Sequence, residues 1–249
     1  MKIFFYICAA IVLILVVMLI IPYITGDAKY EVSVYGIESD FSSLFLTTGE
    51  ADITFIPSDG GECRIEVYKS GIYDFSSEVK DGSLNIGFKK RPVWYAFINL
   101  GFKSPEIKIY LPSSVYDSLT VKADTGEVQI PESFAFATVD VDVSTGDVEY
   151  AARESASVKI SASTGHITVS RANVSGDITL SVSTGGIEIS ETTSGGKVTA
   201  GASTGDVEIT SLKAASLAIT TSTGDVNITD TTVSGEITQI IDTGETVFD

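Results

Sequence analysis

The chain has 249 residues, 44% of them hydrophobic, and its 33 acidic and 16 basic side chains give a formal net charge of −17 at pH 7. This length and apolar content suffice for a sizeable core, which excludes a largely disordered chain. Residues 123–249 hold 19 acidic and 5 basic side chains. So acidic a half would repel phosphate groups, and no nucleic-acid partner is predicted.

Residues 1–26 are predicted to form an N-terminal membrane anchor. Residues 3–21 are an uninterrupted apolar run, long enough as a helix to cross a hydrocarbon core of about 30 Å. We expect one uncleaved transmembrane helix that meets the lipid bilayer through residues 3–24. A cleaved signal peptide is the alternative, although its apolar stretch is usually only roughly 7–15 residues long. Lys2 places the N-terminus in the cytoplasm and the rest of the single-pass chain outside the cell.

Residues 27–122 are predicted to be the β-rich first part of the ectodomain. Residues 64–68, 84–88 and 107–111 alternate between apolar and polar side chains, as half-buried strands do. Pro112 should end the last of these strands because proline cannot donate a ladder hydrogen bond. The pair Thr48-Gly49 resembles a degenerate first copy of the repeat that follows.

Residues 123–249 repeat with a period of about twenty residues, and each unit contains a Thr-Gly pair. Alternating Val and Ile positions follow most of these pairs and predict strands with one buried face. The glycine is expected to sit at a tight turn that requires positive φ or close backbone approach. A looser polar turn such as residues 190–194 should close each unit. The seven pairs are Thr125-Gly126, Thr145-Gly146, Thr164-Gly165, Thr184-Gly185, Thr204-Gly205, Thr223-Gly224 and Thr243-Gly244.

Units of equal length cannot bury their apolar stripe alone, so they are expected to stack. We predict an all-β fold, a β-solenoid or β-helix-like stack of roughly seven coils of about 20 residues, with the threonines aligned along one edge. The sequence does not fix strand direction, and a sandwich of antiparallel hairpins is the structural alternative.

The order of these motifs resembles a bacterial putative-adhesin β-strand-repeat family of unknown function, to which LiaG-like membrane proteins belong. The resemblance rests on residues 107–112 (Ile-Lys-Ile-Tyr-Leu-Pro), residues 116–121 (Tyr-Asp-Ser-Leu-Thr-Val) and the serial Ser-Thr-Gly-Asp-Val units. It covers residues 30–249. It implies a β-helical surface domain, often tethered to a membrane and sometimes linked to envelope-stress signalling, with no catalytic residues to carry over.

The sequence supplies no convincing catalytic, cofactor or metal site. Asp124 and Asp242 both precede a Thr-Gly pair, as in aspartic proteases, but stacking would hold them about 29 Å apart. A carboxylate ladder after the glycines could bind Ca²⁺, yet His166 and Gly186 interrupt it. His166, the single histidine, has no nucleophile beside it and is interpreted as a turn residue. The two cysteines, Cys8 and Cys63, offer neither a disulfide framework nor zinc spacing.

Residues 89–103 form a basic-aromatic loop, the one segment that departs from the repeat. Cations beside aromatic rings suit a membrane interface or a partner protein. The alternative is that the loop covers an open end of the β-stack. The predicted contact residues are Lys89, Lys90, Arg91, Trp94, Tyr95 and Phe97.

These features predict a protein that is not an enzyme and that presents an acidic surface outside the cell for adhesion to an envelope protein or glycan. An accessory or sensor component of a membrane-stress system is the second hypothesis. A polysaccharide-active β-helix enzyme is the third. After Tyr150 the only aromatic side chain is Phe248, which argues against sugar stacking along the coils.

Overall fold

The computed structural model describes residues 7, 11–18, 20–21, 29–92 and 104–248. Residues 11–18 and 20–21 are helical. The strands of the described residues are β1 (Tyr30–Ile37), β2 (Ser43–Glu50), β3 (Asp52–Pro57), β4 (Cys63–Ser70), β5 (Tyr73–Lys80), β6 (Ser83–Lys90), β7 (Glu106–Leu111), β8 (Val115–Thr125), β9 (Val128–Ile130), β10 (Ala135–Thr145), β11 (Val148–Tyr150), β12 (Glu154–Thr164), β13 (Ile167–Ser170), β14 (Asn173–Val174), β15 (Ile178–Thr184), β16 (Ile187–Ser190), β17 (Thr193–Ser194), β18 (Lys197–Thr204), β19 (Val207–Thr210), β20 (Lys213–Ala214), β21 (Ser216–Thr223), β22 (Val226–Thr229), β23 (Thr232–Val233), β24 (Ile237–Thr243) and β25 (Thr246–Phe248).

The predicted β-solenoid is confirmed. From β8 to β25 every strand pairs with strands of the neighbouring coils in parallel. The alternative of an antiparallel sandwich is therefore wrong. The threonines of the Thr-Gly pairs face one another in register from Thr125 to Thr243, so the corners align along one edge as predicted.

The core follows from the alternation read in the sequence. In β10, Val139, Val141 and Val143 are buried while the aspartates between them are exposed. Parallel register then places Val141 beside Ile160, and Ile160 beside Leu180 of the next coil. Each such side chain contributes roughly 1.5–3 kcal/mol when it leaves water.

The N-terminal part extends the same stack and then closes its end. β2 pairs with β8 and β3 with β9, both in parallel, so residues 43–57 form a coil of the stack. Thr48 pairs with Ala123 and Glu50 with Thr125, so the Thr48-Gly49 pair lies two residues before the corner and is not a copy of the Thr-Gly corner. β6 and β7 form a further layer on β2 and β3. Beyond this layer the pairing is antiparallel: β4 pairs with β7, β1 pairs with β4, and β5 pairs with β6. One core cluster runs from Leu44 to Ile228, and β8 crosses the predicted boundary between residues 122 and 123.

The looser polar turn is more ordered than its sequence indicates. From β13 onward each coil has a third side, because a two-residue strand such as β17 interrupts the predicted turn. The corner before it is set by a non-glycine residue at positive φ, for example Glu191 at 48°. The buried Thr192 hydroxyl donates to the Ser190 carbonyl oxygen at 2.9 Å. Two-residue strands are too short to show apolar-polar alternation, so they could not be predicted from the sequence.

The anchor is tested only where the leader is described. Among those residues, no helix is long and apolar enough to cross a membrane. The apolar side chains of residues 11–17 are exposed, and Ile21 packs against the core cluster of the domain.

Candidate functional site

The basic-aromatic loop is described only at its flanks. Lys89 and Lys90 end β6, Arg91 follows them, and the chain is described again from Ser104, just before β7. Trp94, Tyr95 and Phe97 lie outside the described residues. The loop connects the two strands of the layer next to the antiparallel end, so its flanks stand at the N-terminal end of the stack.

The three described cations of this loop differ in whether another residue of the fold binds them. Lys89 is exposed. The Lys90 ammonium lies 3.2 Å from the Glu50 carboxylate, which also accepts a hydrogen bond from the Tyr73 hydroxyl at 2.7 Å. The Arg91 guanidinium donates to the Gly71 carbonyl oxygen. Two of the three predicted cations thus hold the end of the fold together, and Lys89 is the one available to a ligand.

This small network shifts the ionisation of its members. The Tyr73 hydrogen bond is the main cause that lowers the pKa of Glu50, with Lys90 adding to it. Burial, together with the Glu50 carboxylate, raises the pKa of Tyr73. Glu50 therefore stays ionised and Tyr73 neutral at physiological pH, which keeps Lys90 paired.

Three of the carboxylates after the corner glycines each accept a backbone N–H of the next coil. The Asp147 carboxylate accepts the His166 N–H at 2.7 Å, and Asp206 accepts the Asp225 N–H at 2.8 Å. Asp225 likewise accepts the Glu245 N–H at 2.9 Å. Among the described residues no group of three or more His, Cys, Asp or Glu side chains is placed to hold a metal ion. The ladder therefore stabilises the contact between neighbouring coils.

The interruption of this ladder has a steric cause. The His166 ring extends over the next coil, and a Cβ atom at position 186 would lie 2.5 Å from its Nε2 atom. Glycine at 186 therefore accommodates the histidine. Having no carboxylate, Gly186 leaves the Asp206 N–H without the acceptor that other coils supply.

The two Asp-Thr-Gly triplets do not form a catalytic pair. Asp124 lies in β8 and Asp242 in β24, and β10, β12, β15, β18 and β21 stand between them in the sheet. Six strand steps correspond to about 29 Å, too far for two carboxylates to share a proton.

Parallel register also lines up exposed side chains on the outer faces. Glu149, Glu188 and Glu208 are exposed and occupy one row across β11, β16 and β19, with Thr168 between the first two. Asp140 and Asp142 are exposed on the other sheet. We call Glu149, Glu188 and Glu208 the glutamate row.

The comparisons with known proteins identify the family. The family model for Toastrack DUF4097 matches residues 41–172 and 152–240. The chain belongs to this family. The predicted resemblance to a β-repeat family of unknown function is confirmed, since this family model covers most of the chain.

Solved structures are similar to this Toastrack chain at low sequence identity. A putative adhesin from Bacteroides fragilis is 16% identical, covers 88% of this chain and 96% of its own, and has a TM-score of 0.55. A putative lipid-binding protein from Parabacteroides distasonis is 18% identical, with coverage of 88% and 98% and a TM-score of 0.50. A putative adhesin from the same species is 20% identical, with 89% and 98% covered and a TM-score of 0.47. No curated protein matches the chain.

One concave feature of this Toastrack chain was missed in the sequence. A cavity of about 550 Å³ opens where the β1–β2, β3–β4 and β7–β8 connections meet. Its rim carries the exposed carboxylates of Glu38, Asp40 and Glu62. The segment Glu38-Ser39-Asp40-Phe41 places acidic and aromatic residues together and is the signal that could have found it, but Glu62 converges on it only in the fold.

Proposed function

We propose that this Toastrack chain is a non-catalytic, membrane-anchored protein of the bacterial envelope, whose extracytoplasmic solenoid presents an acidic surface for adhesion. The observation that carries the proposal is the glutamate row. Parallel register repeats the same outward position from coil to coil, so carboxylates recur along a rigid face. A repeated charge of one sign attracts a partner of opposite charge that has a similar repeat, such as a basic envelope protein or glycan.

The membrane part of the proposal rests on the leader. Residues 3–21 are apolar without interruption, and Lys2 precedes them. Residues 3–24 would hold the chain in the bilayer with the N-terminus in the cytoplasm, and the solenoid would stand outside, close to the lipid. Lys89, Trp94, Tyr95 and Phe97 would then meet the lipid interface or a neighbouring membrane protein. The similar protein described as a putative lipid-binding protein is in keeping with such contact.

Cross-linking on intact bacteria tests both parts at once. A membrane-impermeant cross-linker should capture partners with the full chain, because the solenoid lies outside. The variant E149Q/E188Q/E208Q should recover about tenfold less of the same partners, as loss of three charge contacts predicts. The matched control D140N/D142N/E154Q removes three exposed charges from the other sheet and should recover as much as the native chain.

A different outcome would contradict each of the two parts, the extracytoplasmic location and the adhesion through the glutamate row. No labelling of the solenoid by the impermeant reagent would contradict the extracytoplasmic location. Strong labelling with equal recovery by the native chain and the glutamate-row variant would contradict adhesion through this row.

A further inference from the structure

The last coil of the stack leaves core positions open. Ile237 stands in register with Leu217, yet 44% of its surface is exposed where Leu217 has 1%. Phe248 likewise stands in register with Ile228, and the two are 55% and 3% exposed. Residues paired in register point to the same side of a sheet, so Ile237 and Phe248 both face the core. The face formed by β23, β24 and β25, here called the C-terminal end, is an uncovered section of the apolar core.

The strand edges of the C-terminal end are open as well. Among the described strands, β23, β24 and β25 each pair on one side only. Such unpaired edges readily accept another strand. The opposite end of the stack differs, because the Tyr35 ring of β1 contacts the Phe75 ring of β5 with centroids 4.5 Å apart. These two rings come from different sheets and close the core between them.

A buried amide at the C-terminal end indicates a partner. Gln239 occupies a core row that holds Leu180, Ala200 and Ile219 in the preceding coils. Its side-chain nitrogen is buried and has no hydrogen-bond partner among the described residues, which is rare in folded proteins. The broad terminal torsion of glutamine allows this N–H to turn towards the open end. A carboxamide both donates and accepts, so a second copy of the same residue satisfies it.

A two-fold axis brings two such ends together in one register. Copies related in this way use the same surface on both sides, and an axis perpendicular to the stack makes β24 antiparallel to β24 of the second copy. Ile240 is the middle residue of β24 and is exposed. With Ile240 on the axis it faces its own copy. Gln239 then lies diagonal to Gln239 of the second copy, a separation that long side chains bridge.

The same register separates the carboxylates of the two copies. Residues 214–249 contain no lysine or arginine, so carboxylates that met directly would repel each other. With Ile240 on the axis, Asp242 lies opposite Thr238 of the second copy, whose hydroxyl can donate to it. Within the stack itself Glu188 already pairs with Glu208 of the next coil. The coils therefore tolerate closer like charges than this pairing brings together.

The size of the C-terminal end fits a reversible dimer. The seven residues of β24 are about 23 Å long, and two sheets with their side chains are about 20 Å wide, which gives about 450 Å² per copy. A pair would bury about 900 Å² in total, near the lower bound for specific interfaces. A single added peptide strand would cover one of the three open edges and leave the rest of the core section in water.

We propose that the C-terminal ends of two copies of this chain stack on each other, with β24 antiparallel to β24 and Ile240 on the two-fold axis. Ile237 and Phe248 become buried, and the two Gln239 amides bond to each other. The pairing depends neither on the glutamate row nor on the anchor. For the anchored chain proposed above, the two solenoids would meet from facing membranes, and this consequence alone rests on the proposed function.

Sedimentation velocity of the full chain in a mild detergent tests the pairing. We expect a monomer–dimer equilibrium with a Kd of about 10 µM. The variant I237T/F248T should raise this Kd about tenfold, because apolar contacts are lost. V32T/V34T is the matched control, since it makes two exposed valines of the edge strand β1 polar at the other end of the stack. It should dimerise as the native chain does.

Disulfide trapping tests the register. In a chain with Cys8 and Cys63 replaced by alanine, I240C should oxidise to a covalent dimer, since the Cα atoms of facing residues lie about 4.5–5.5 Å apart. T238C, on the same face of the same strand, is the control. Its two copies would lie about 13 Å apart and should yield at least about tenfold less dimer.

Three results would overturn the proposal. The first is a monomer at about 100 µM, which would mean that another segment or another protein covers the C-terminal end. The second is equal weakening of the dimer by I237T/F248T and V32T/V34T. The third is equal trapping, or none, at positions 240 and 238.

Discussion

At the scale of the residue, the corner glycines decide whether coils can stack. Gly185 has a φ of 134°, and a Cβ atom there would lie 1.8 Å from the Gly165 carbonyl oxygen of the preceding coil. No side-chain movement relieves that clash, because the obstacle is backbone. Gly201, in the middle of β18, has ordinary φ, and its nearest neighbour to an added Cβ is 4.0 Å away.

The pair G185A and G201A therefore makes a matched comparison. G185A should lower the free energy of unfolding by about 3 kcal/mol or more, because it forces two coils apart at a strained φ. G201A should raise it by about 0.5 kcal/mol, since alanine loses less backbone entropy in a strand. Urea denaturation followed by circular dichroism measures both. Equal effects of the two substitutions would contradict the tight corner.

The corner glycine was predictable because the Thr-Gly pair recurs and glycine suits such a turn. The second corner was not. Arg171 and Glu191 adopt φ values of 51° and 48°. Neither is a glycine, so the sequence carried no signal for this corner. The stacking of neighbouring coils imposes this conformation, and a single unit of sequence does not reveal it.

At the scale of the element, Asp147, Asp206 and Asp225 form a ladder in which each carboxylate accepts a backbone N–H of the next coil. The acceptor and donor are about twenty residues apart, so the sequence showed acidic turn residues but not their partners. His166 and Gly186 replace two steps of the ladder by a steric fit. Because the two residues fit each other, the stability change of the double substitution should differ from the sum of the two single changes.

The substitutions H166D, G186D and H166D/G186D test this dependence. G186D alone should destabilise the chain by about 1 kcal/mol, because its Cβ meets the imidazole ring. The double variant should be more stable than the native chain by about 1–2 kcal/mol, as two further backbone N–H groups gain carboxylate acceptors. Thermal unfolding of all three variants gives the coupling energy. Strictly additive effects would contradict contact between the two positions.

At the scale of the whole molecule, the twenty-residue period and the apolar-polar alternation predicted a stack of coils. Both patterns can be read directly from the sequence. Strand direction was left open, because parallel and antiparallel strands bury the same alternating pattern. The antiparallel pairing of β4 with β1 and with β7 was likewise hidden, since it joins segments far apart in sequence. The same holds for the cavity, whose rim comes from separate connections. The β5–β6 hairpin was not hidden in this way, because it turns at Asp81-Gly82, a pair typical of two-residue hairpins.

Spin-label distances along the Thr-Gly edge test the parallel, in-register stack most directly. Labels at Thr125 paired with Thr204, Thr223 or Thr243, in a chain with Cys8 and Cys63 replaced by alanine, span four, five and six coil steps. Double electron–electron resonance should give about 19, 24 and 29 Å, a rise of about 4.8 Å per coil. Distances that fail to grow steadily with the number of coils would contradict the solenoid.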